Sequence, residues 1–214
     1  MNILQQILIA SGIRKTQQTF LTTLLTLWLV IPGRVNYANL SRFAPQTEKT
    51  FRNWFAKPCD FVKLNIEIIR VLQSQKRMGT TLILGSDASF IAKAGKTTAG
   101  LAKYWNGSKG QAEQGLELSS ITAIDLETRQ AITLQVVQTP ANFEVGQSRV
   151  THYATQMVST LKTLPVELKQ QMKAIAVDAY YTKFNFIDPI LKAQESDSHR
   201  IAIVGKMRKD ANLM

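Results

Sequence analysis

The first third of the chain repeats its apolar residues at helical spacing. Such a period predicts amphipathic helices that bury one face. Two apolar stripes are expected before Pro32-Gly33, formed by Ile3, Leu4, Ile7 and Leu8 and by Phe20, Leu24, Leu27, Trp28 and Ile31. The run from Phe20 to Ile31 is shorter than the roughly 20 apolar residues that span a bilayer. We interpret it as a buried helix and expect no membrane partner.

The stretch from Asn36 to Lys57 predicts two short helices joined by a tight turn. Thr47 is a suitable N-cap for the second helix. One side of that helix carries the aromatic residues Phe51, Trp54 and Phe55. Other sides carry polar groups suited to phosphates and base edges, Lys49, Arg52 and Asn53. The pattern fits a helix-turn-helix reader of DNA, and equally an ordinary helical hairpin with a solvated basic face.

After a further helix expected from Phe61 to about Gln75, the period changes from 3.6 to 2. We place a domain boundary at Lys76-Arg77-Met78-Gly79, which gives a helical domain, 1–78, and a second domain, 79–214. Strands are expected at 80–86, 116–124, 130–138, 174–178 and 200–205, with helices at 146–163 and 182–194. The chain is therefore expected to be of the α+β class.

The segment from Lys93 to Gly115 is rich in Gly, Lys and Thr. It is too polar for a core and too long for a tight hairpin, so it is expected to be a surface excursion. Four lysines could hold a DNA backbone there, Lys93, Lys96, Lys103 and Lys109. A flexible solvated loop is the alternative.

Charge points toward a polyanionic partner. The chain has 214 residues, 45% apolar and 19% charged, with a net charge of +11, which is a globular composition. Residues 1–78 carry 11 Lys and Arg against 3 acids, a net +8, so this part is the expected nucleic-acid-binding module. Cys59 is the only cysteine, which rules out a disulfide within the chain and suits the cytoplasm.

Two apolar strand-like runs each lead into one acidic residue. Residues 80–86 are followed by Asp87, and residues 174–177 by Asp178. Carboxylates at the ends of neighbouring strands can converge on hard divalent cations, which drive displacement at phosphorus. The alternative is that each aspartate only begins a turn.

Three blocks resemble the cut-and-paste DDE transposases of bacterial insertion sequences. The first is Gly85-Ser86-Asp87-Ala88-Ser89-Phe90-Ile91 with Lys93, Gly95-Lys96, Thr98 and Gly100-Leu101, and it is similar to the first-Asp block. The second, Ala176-Val177-Asp178-Ala179-Tyr180-Tyr181, is similar to the second-Asp block. The third, Val204 to Leu213, resembles the strand and basic loop that follow, with Arg208 and Lys209 as expected DNA contacts.

The resemblance implies an RNase H-like mixed sheet whose first and fourth strands are neighbours. It implies that Asp87 and Asp178 are catalytic metal ligands, Asp87 touching two Mg²⁺ (or Mn²⁺) ions and Asp178 one of them. The implied function is DNA cleavage and strand transfer at terminal inverted repeats, on double-stranded DNA in the nucleoid. A homodimer on the DNA is compatible with this function.

The family's catalytic Glu lies further downstream than Met214, so we expect an incomplete catalytic domain. Glu195 and Asp197 are expected in a loop before the last strand, and Asp210 in the basic block. With two of three carboxylates, the chain is expected to bind DNA and to cut it little. The alternative function is a catalytically inactive DNA-binding remnant or a regulator of element ends.

Overall fold

The computed structural model describes residues 3–95 and 97–206. The chain divides into two compact units, residues 1–71 and 72–214. The division falls within a helix, and not at Lys76 to Gly79 where the sequence suggests a boundary. Several residues singled out above lie outside the described residues, namely Lys96, Arg208, Lys209 and Asp210.

The first unit is helical. Its elements are α1 (Ile3–Ala10), α2 (Lys15–Val30), α3 (Tyr37–Arg42), α4 (Glu48–Phe55) and most of α5 (Phe61–Ser74). The predicted cap is present, since the Thr47 side chain accepts a hydrogen bond from the Thr50 backbone N–H at 3.3 Å. Asn36 caps α3 in the same way, accepting from the Asn39 N–H at 2.9 Å. The predicted pair of short helices is thus present.

An aromatic cluster forms part of the core of this unit. Phe51 is fully buried, and the ring of Phe20 packs against those of Trp54 and Phe55 at centroid distances of 5.2 and 5.1 Å. Phe61, the first residue of α5, is half exposed. Leu64, one turn further on, is buried in the core of this unit.

The second unit is a mixed sheet with helices. Its elements in chain order are β1 (Leu82–Ala92), β2 (Ala102–Asn106), β3 (Gln111–Asp125), β4 (Ala131–Gln138), α6 (Arg149–Thr163), α7 (Val166–Gln171), β5 (Met172–Val177), α8 (Phe184–Lys192) and β6 (Ala202–Gly205). The strands are ordered β2-β3-β1-β5-β6, and β4 also pairs with β3. With the helical first unit, this confirms the α+β class.

The sheet joins antiparallel and parallel pairs. β3 is antiparallel to β1, β2 and β4, while β5 is parallel to both β1 and β6. The predicted first and fourth strands correspond to β1 and β5, which are neighbours as expected. The strand β2 is additional, and it pairs with the part of β3 that precedes the β4 pairing.

Two predicted boundaries in the sheet were wrong. β1 does not end at Ser86, because residues 88–92 continue it by pairing with residues 115–119 of β3. The segment 93–115 is not only a surface excursion, since it contains β2 and the first residues of β3. Both errors have one cause: this part of the ribbon is held by backbone pairing with a distant part of the chain, and its sequence shows no regular apolar alternation.

The helix α6 covers part of the sheet through its predicted stripe. Val150, Tyr153, Met157 and Leu161 are all buried, and α6 contacts β3, β4 and α8. Ser148 caps this helix in a reciprocal capping box with Thr151, which fixes where α6 begins. Among the described helices, none combines the length and apolar character needed to cross a bilayer.

Candidate active site

Asp87 and Asp178 occupy neighbouring positions on adjacent parallel strands. In the register of β1 and β5, Ser86 is opposite Val177, and each aspartate is the next residue along its strand direction. Neighbouring strands lie about 4.8 Å apart, so the fold brings together two residues that are distant in sequence. Both side chains belong to exposed residues.

Local hydrogen bonds orient each of the two carboxylates. Asp87 Oδ1 accepts from the Ala88 backbone N–H at 2.8 Å, and the Ser120 hydroxyl donates to the Asp87 carbonyl oxygen at 3.3 Å. Asp178 Oδ1 accepts from the Tyr180 N–H at 2.9 Å, as a turn-forming aspartate does. The turn interpretation therefore describes part of what Asp178 does, while Asp87 lies in mid-strand.

The two aspartates line two open cavities. One cavity, of about 420 Å³, is the site cavity of the following paragraphs, and it is lined by Asp87, Ala88, Trp105, Glu117, Arg149, Tyr153, Asp178, Tyr180 and Tyr181. The other, of about 580 Å³, is lined by Gly85, Ser86, Asp87, Ser120, Thr122, Ile124, Ala176, Val177 and Asp178. Asp87 and Asp178 are the residues that the two linings have in common.

A third acid, Glu117, lines the site cavity and is buried. The Tyr153 hydroxyl donates to Glu117 Oε1, and Arg149 Nη1 lies 3.8 Å from Glu117 Oε2. Sequence reasoning missed this residue, because Leu116 and Leu118 on either side of it suggest the opposite phase, with Glu117 facing solvent. Alternate residues of β3 from Gly115 to Asp125 are buried, and Glu117 falls in that inward phase.

Arg149 is the first residue of α6, and its side chain contacts three neighbouring residues. Its guanidinium lies over the Tyr104 ring at 4.8 Å, donates to the Lys103 carbonyl oxygen at 3.3 Å and faces Glu117. Planar arginine groups combine ring stacking with hydrogen bonding in this way. The site cavity therefore contains a fixed cation as well as carboxylates.

Buried phenols form the floor beneath the carboxylates. Burial raises the pKa of Tyr181, and the nearby Tyr153, Asp87 and Asp178 raise it further. The Tyr181 ring packs against Tyr153 and Phe186 at 5.3 and 5.2 Å. Tyr181 therefore stays protonated and neutral at physiological pH, and it contributes packing to the floor of the site.

The two aspartates suit a hard divalent cation in ligand type and in access. Carboxylate oxygens are the ligands that Mg²⁺ and Mn²⁺ prefer, and both residues are exposed. Within residues 3–95 and 97–206, no group of three or more His, Cys, Asp or Glu side chains is arranged to hold a metal ion. Glu117 does not complete such a group, because its oxygens face Tyr153 and Arg149.

The other acids considered from the sequence lie elsewhere. Glu195 and Asp197 follow α8 and precede β6, as predicted, and neither lines either of the two cavities. Asp197 pairs with Lys169 at 3.1 Å. This ion pair links the loop to α7 through Asp197.

The predicted DNA contacts that fall on described residues are all exposed: Lys49, Arg52, Asn53 and Lys93. Arg52 pairs with Glu48 and lies over the Tyr37 ring at 4.5 Å. Lys49 and Asn53 lie on the exposed surface of α4, whose opposite face buries Phe51. The division of α4 into an apolar and a polar face is as predicted.

Comparison of the chain with models of known protein families gave no match, and comparison with curated protein sequences gave no significant match.

Proposed function

We propose that this chain acts in DNA transposition as a metal-dependent enzyme that cleaves DNA phosphodiesters and transfers the resulting strand. The proposal rests on one observation above all, the neighbouring positions of Asp87 and Asp178 at an open cavity. It takes its reaction from the resemblance of the blocks around these two residues to DDE transposases.

In this proposal Asp87 and Asp178 hold the divalent cations. Bound Mg²⁺ supplies Lewis acidity, which activates an attacking water or 3′-hydroxyl and stabilises charge on the leaving oxygen. The chain contributes orientation, because the N–H groups of Ala88 and Tyr180 fix one oxygen of each carboxylate. Preorganised ligands of this kind need no rearrangement when a substrate arrives.

A second candidate function is DNA binding without cleavage, as an inactive remnant or a regulator of element ends. The observation that favours it is the absence, among described residues, of a third carboxylate facing the same position. Two carboxylates offer little charge for two dications, so this second function predicts DNA binding with no cleavage.

The partner in both cases is double-stranded DNA, at the inverted repeats of an element in the nucleoid of the cytoplasm. Residues 1–78 carry a net charge of +8, and α4 presents Lys49, Arg52 and Asn53 to solvent. In this proposal Lys93, with Lys96, Arg208 and Lys209 outside the described residues, contacts the DNA near the metal ligands. A homodimer on the DNA is part of the same proposal.

A plasmid-nicking assay tests the proposed reaction. We expect any nicking of supercoiled DNA to require Mg²⁺ or Mn²⁺ and to be lost in Asp87→Asn, because that substitution removes a ligand charge. DNA binding without nicking, together with Mn²⁺ binding that needs both aspartates, would favour the second function. Nicking that persists in EDTA or in Asp87→Asn would contradict the proposed reaction.

Lys49→Gln is expected to weaken duplex binding by a similar factor on all sequences. It should also reduce the slope of log affinity against log salt by about one unit, because one phosphate contact is lost. Titrations of the whole chain at several salt concentrations measure both effects. Lys192→Gln is the matched control, since Lys192 is exposed on α8 and pairs with Asp188 at 2.9 Å. Equal slopes for wild type and Lys49→Gln would contradict a contact between Lys49 on α4 and the DNA.

A further inference from the structure

One of the buried phenols beneath the aspartates has a hydroxyl with no hydrogen-bond partner among the described residues. This residue is Tyr181, which is 2% exposed and lines the site cavity. It follows Asp178 by three residues, and its backbone N–H donates to the Asp178 carbonyl oxygen at 3.2 Å. Burying a hydroxyl without a partner costs free energy, so the presence of this group needs an explanation.

A second hydroxyl in the same state lies beside it. Ser86 directly precedes Asp87 and is buried, and its Oγ also lacks a partner in the described part of the chain. Burial raises the pKa of Tyr181 most, whereas the nearby Ser86 hydroxyl lowers it, so the two hydroxyls are neighbours. A hydrogen bond from Ser86 to the phenol oxygen would still leave the Tyr181 proton without an acceptor. The pair therefore keeps at least one donor to offer.

Packing holds this donor in place. The Tyr181 ring contacts those of Tyr153, Phe186 and Tyr180, with centroid distances between 5.2 and 5.8 Å. The Tyr153 hydroxyl is already used, because it donates to Glu117. Burial and the nearby acids keep the Tyr181 phenol protonated. Tyr181 therefore supplies a fixed, neutral hydrogen-bond donor.

Asp87 has an acceptor to match this donor. After burial and Tyr153, the charge of Asp87 is the next cause that raises the pKa of Tyr181, ahead of Asp178. Asp87 Oδ1 accepts from the Ala88 backbone N–H, and the described residues provide no donor for its second carboxylate oxygen. An unused acceptor and an unused donor are thus within electrostatic reach of each other.

We propose that Tyr181 is a positioning residue for the cation site. In the cation-bound protein its hydroxyl, with Ser86 beside it, donates to the second carboxylate oxygen of Asp87, directly or through one buried water. The inference rests on the proposed function and adds to it the group that orients Asp87 as a ligand. Outer hydrogen bonds of this kind orient metal-binding side chains, and their loss typically weakens metal binding by about 10- to 100-fold.

Tyr181→Phe tests this role, because it removes the hydroxyl and keeps the ring. We expect the Mn²⁺ affinity to fall about tenfold. The melting temperature in EDTA should be unchanged or higher, because the substitution removes the cost of burying that hydroxyl. Ser86→Ala is expected to lower the Mn²⁺ affinity by a smaller factor. Calorimetric titration with Mn²⁺ and a thermal melt in EDTA measure the two effects on the whole chain.

Tyr153→Phe is the matched control, since it removes another buried phenol hydroxyl from the same floor. That hydroxyl donates to Glu117, so its loss should lower the melting temperature and leave the Mn²⁺ affinity close to that of the wild type. A purely structural role for Tyr181 would give the same pattern as this control. Unchanged Mn²⁺ affinity in Tyr181→Phe, or an equal loss of affinity in Tyr153→Phe, would overturn the inference.

The nicking assay separates this inference from the proposed function. Mn²⁺ affinity that depends on Tyr181, in a chain that never nicks DNA, would support the positioning role and contradict the enzymatic function. Metal-dependent nicking that is lost in Asp87→Asn, in a chain whose Mn²⁺ affinity is the same with Tyr181→Phe, would do the reverse.

Discussion

Asp87→Asn and Asp178→Asn are each expected to weaken Mn²⁺ binding by about 100-fold or more, because carboxylate charge largely sets the affinity of hard cations. Thermal unfolding without metal should stay close to that of the wild type. Asparagine keeps the Oδ1 acceptor for the Ala88 or Tyr180 N–H, so the local hydrogen bond survives. Calorimetric titration with Mn²⁺ measures the affinity, and a thermal melt measures the fold.

The matched control for this pair is Glu195→Gln, which removes an exposed carboxylate outside both cavities. Its Mn²⁺ affinity should equal that of the wild type. If either aspartate variant unfolds at a lower temperature while its Mn²⁺ affinity is unchanged, the residue is a turn or strand residue and has no part in metal binding.

Asp125→Ala is expected to lower the free energy of unfolding of the sheet unit by about 3 kcal/mol, since it removes a buried carboxylate together with the hydrogen bonds that this carboxylate accepts. Asp125 is fully buried at the end of β3. Its carboxylate accepts from the backbone N–H groups of Gly79 and Glu127 at 2.7 and 2.9 Å, and from the backbone and hydroxyl of Thr128. Urea unfolding measures the loss. Asp125→Asn, which keeps one acceptor, should fall between wild type and Asp125→Ala.

The same carboxylate gives stability a pH dependence of known sign. Burial alone raises the pKa of Asp125, but hydrogen bonds from Thr128, Gly79 and Glu127 outweigh it and hold the pKa below its ordinary value. The ionised Asp125 carboxylate therefore makes its full contribution to the free energy of unfolding at a pH above its unfolded-state pKa of about 3.9. That contribution is lost as the pH falls through its folded-state pKa. The difference in unfolding free energy between wild type and Asp125→Ala should shrink in that acidic range. A difference that stays constant there would contradict this role.

Where an element is defined by its own residues, the sequence was sufficient to predict it. The cap at Thr47 and the buried stripe of α6 follow from local pattern, and both are present. The continuation of β1 past Asp87 could not be predicted in this way, because residues 88–92 are held by backbone pairing with a distant part of the chain. The short strand β2 was missed for the same reason.

The candidate site shows the same division. Asp87 and Asp178 were found because each follows an apolar run, and their proximity was expected only through the family resemblance. Glu117 and Arg149 come from elements with an ordinary local pattern, and only packing of α6 on the sheet makes them neighbours. Trp105 belongs to a strand that the sequence did not reveal. Side chains that meet across elements therefore remain the least predictable part of the site.

The parallel pairing of β1 with β5 also has a consequence for synthesis. Asp87 leaves the ribosome well before Asp178, and β1 can complete its antiparallel ribbon with β3 while β5 has not yet been made. Pairings between distant segments form late, because a long loop must close first. A nascent chain therefore has an assembled β1–β3 ribbon with a single aspartate and no counterpart. The two-carboxylate arrangement arises only after the translated chain has passed Asp178, so a partly made copy has one aspartate without its neighbour across the strands.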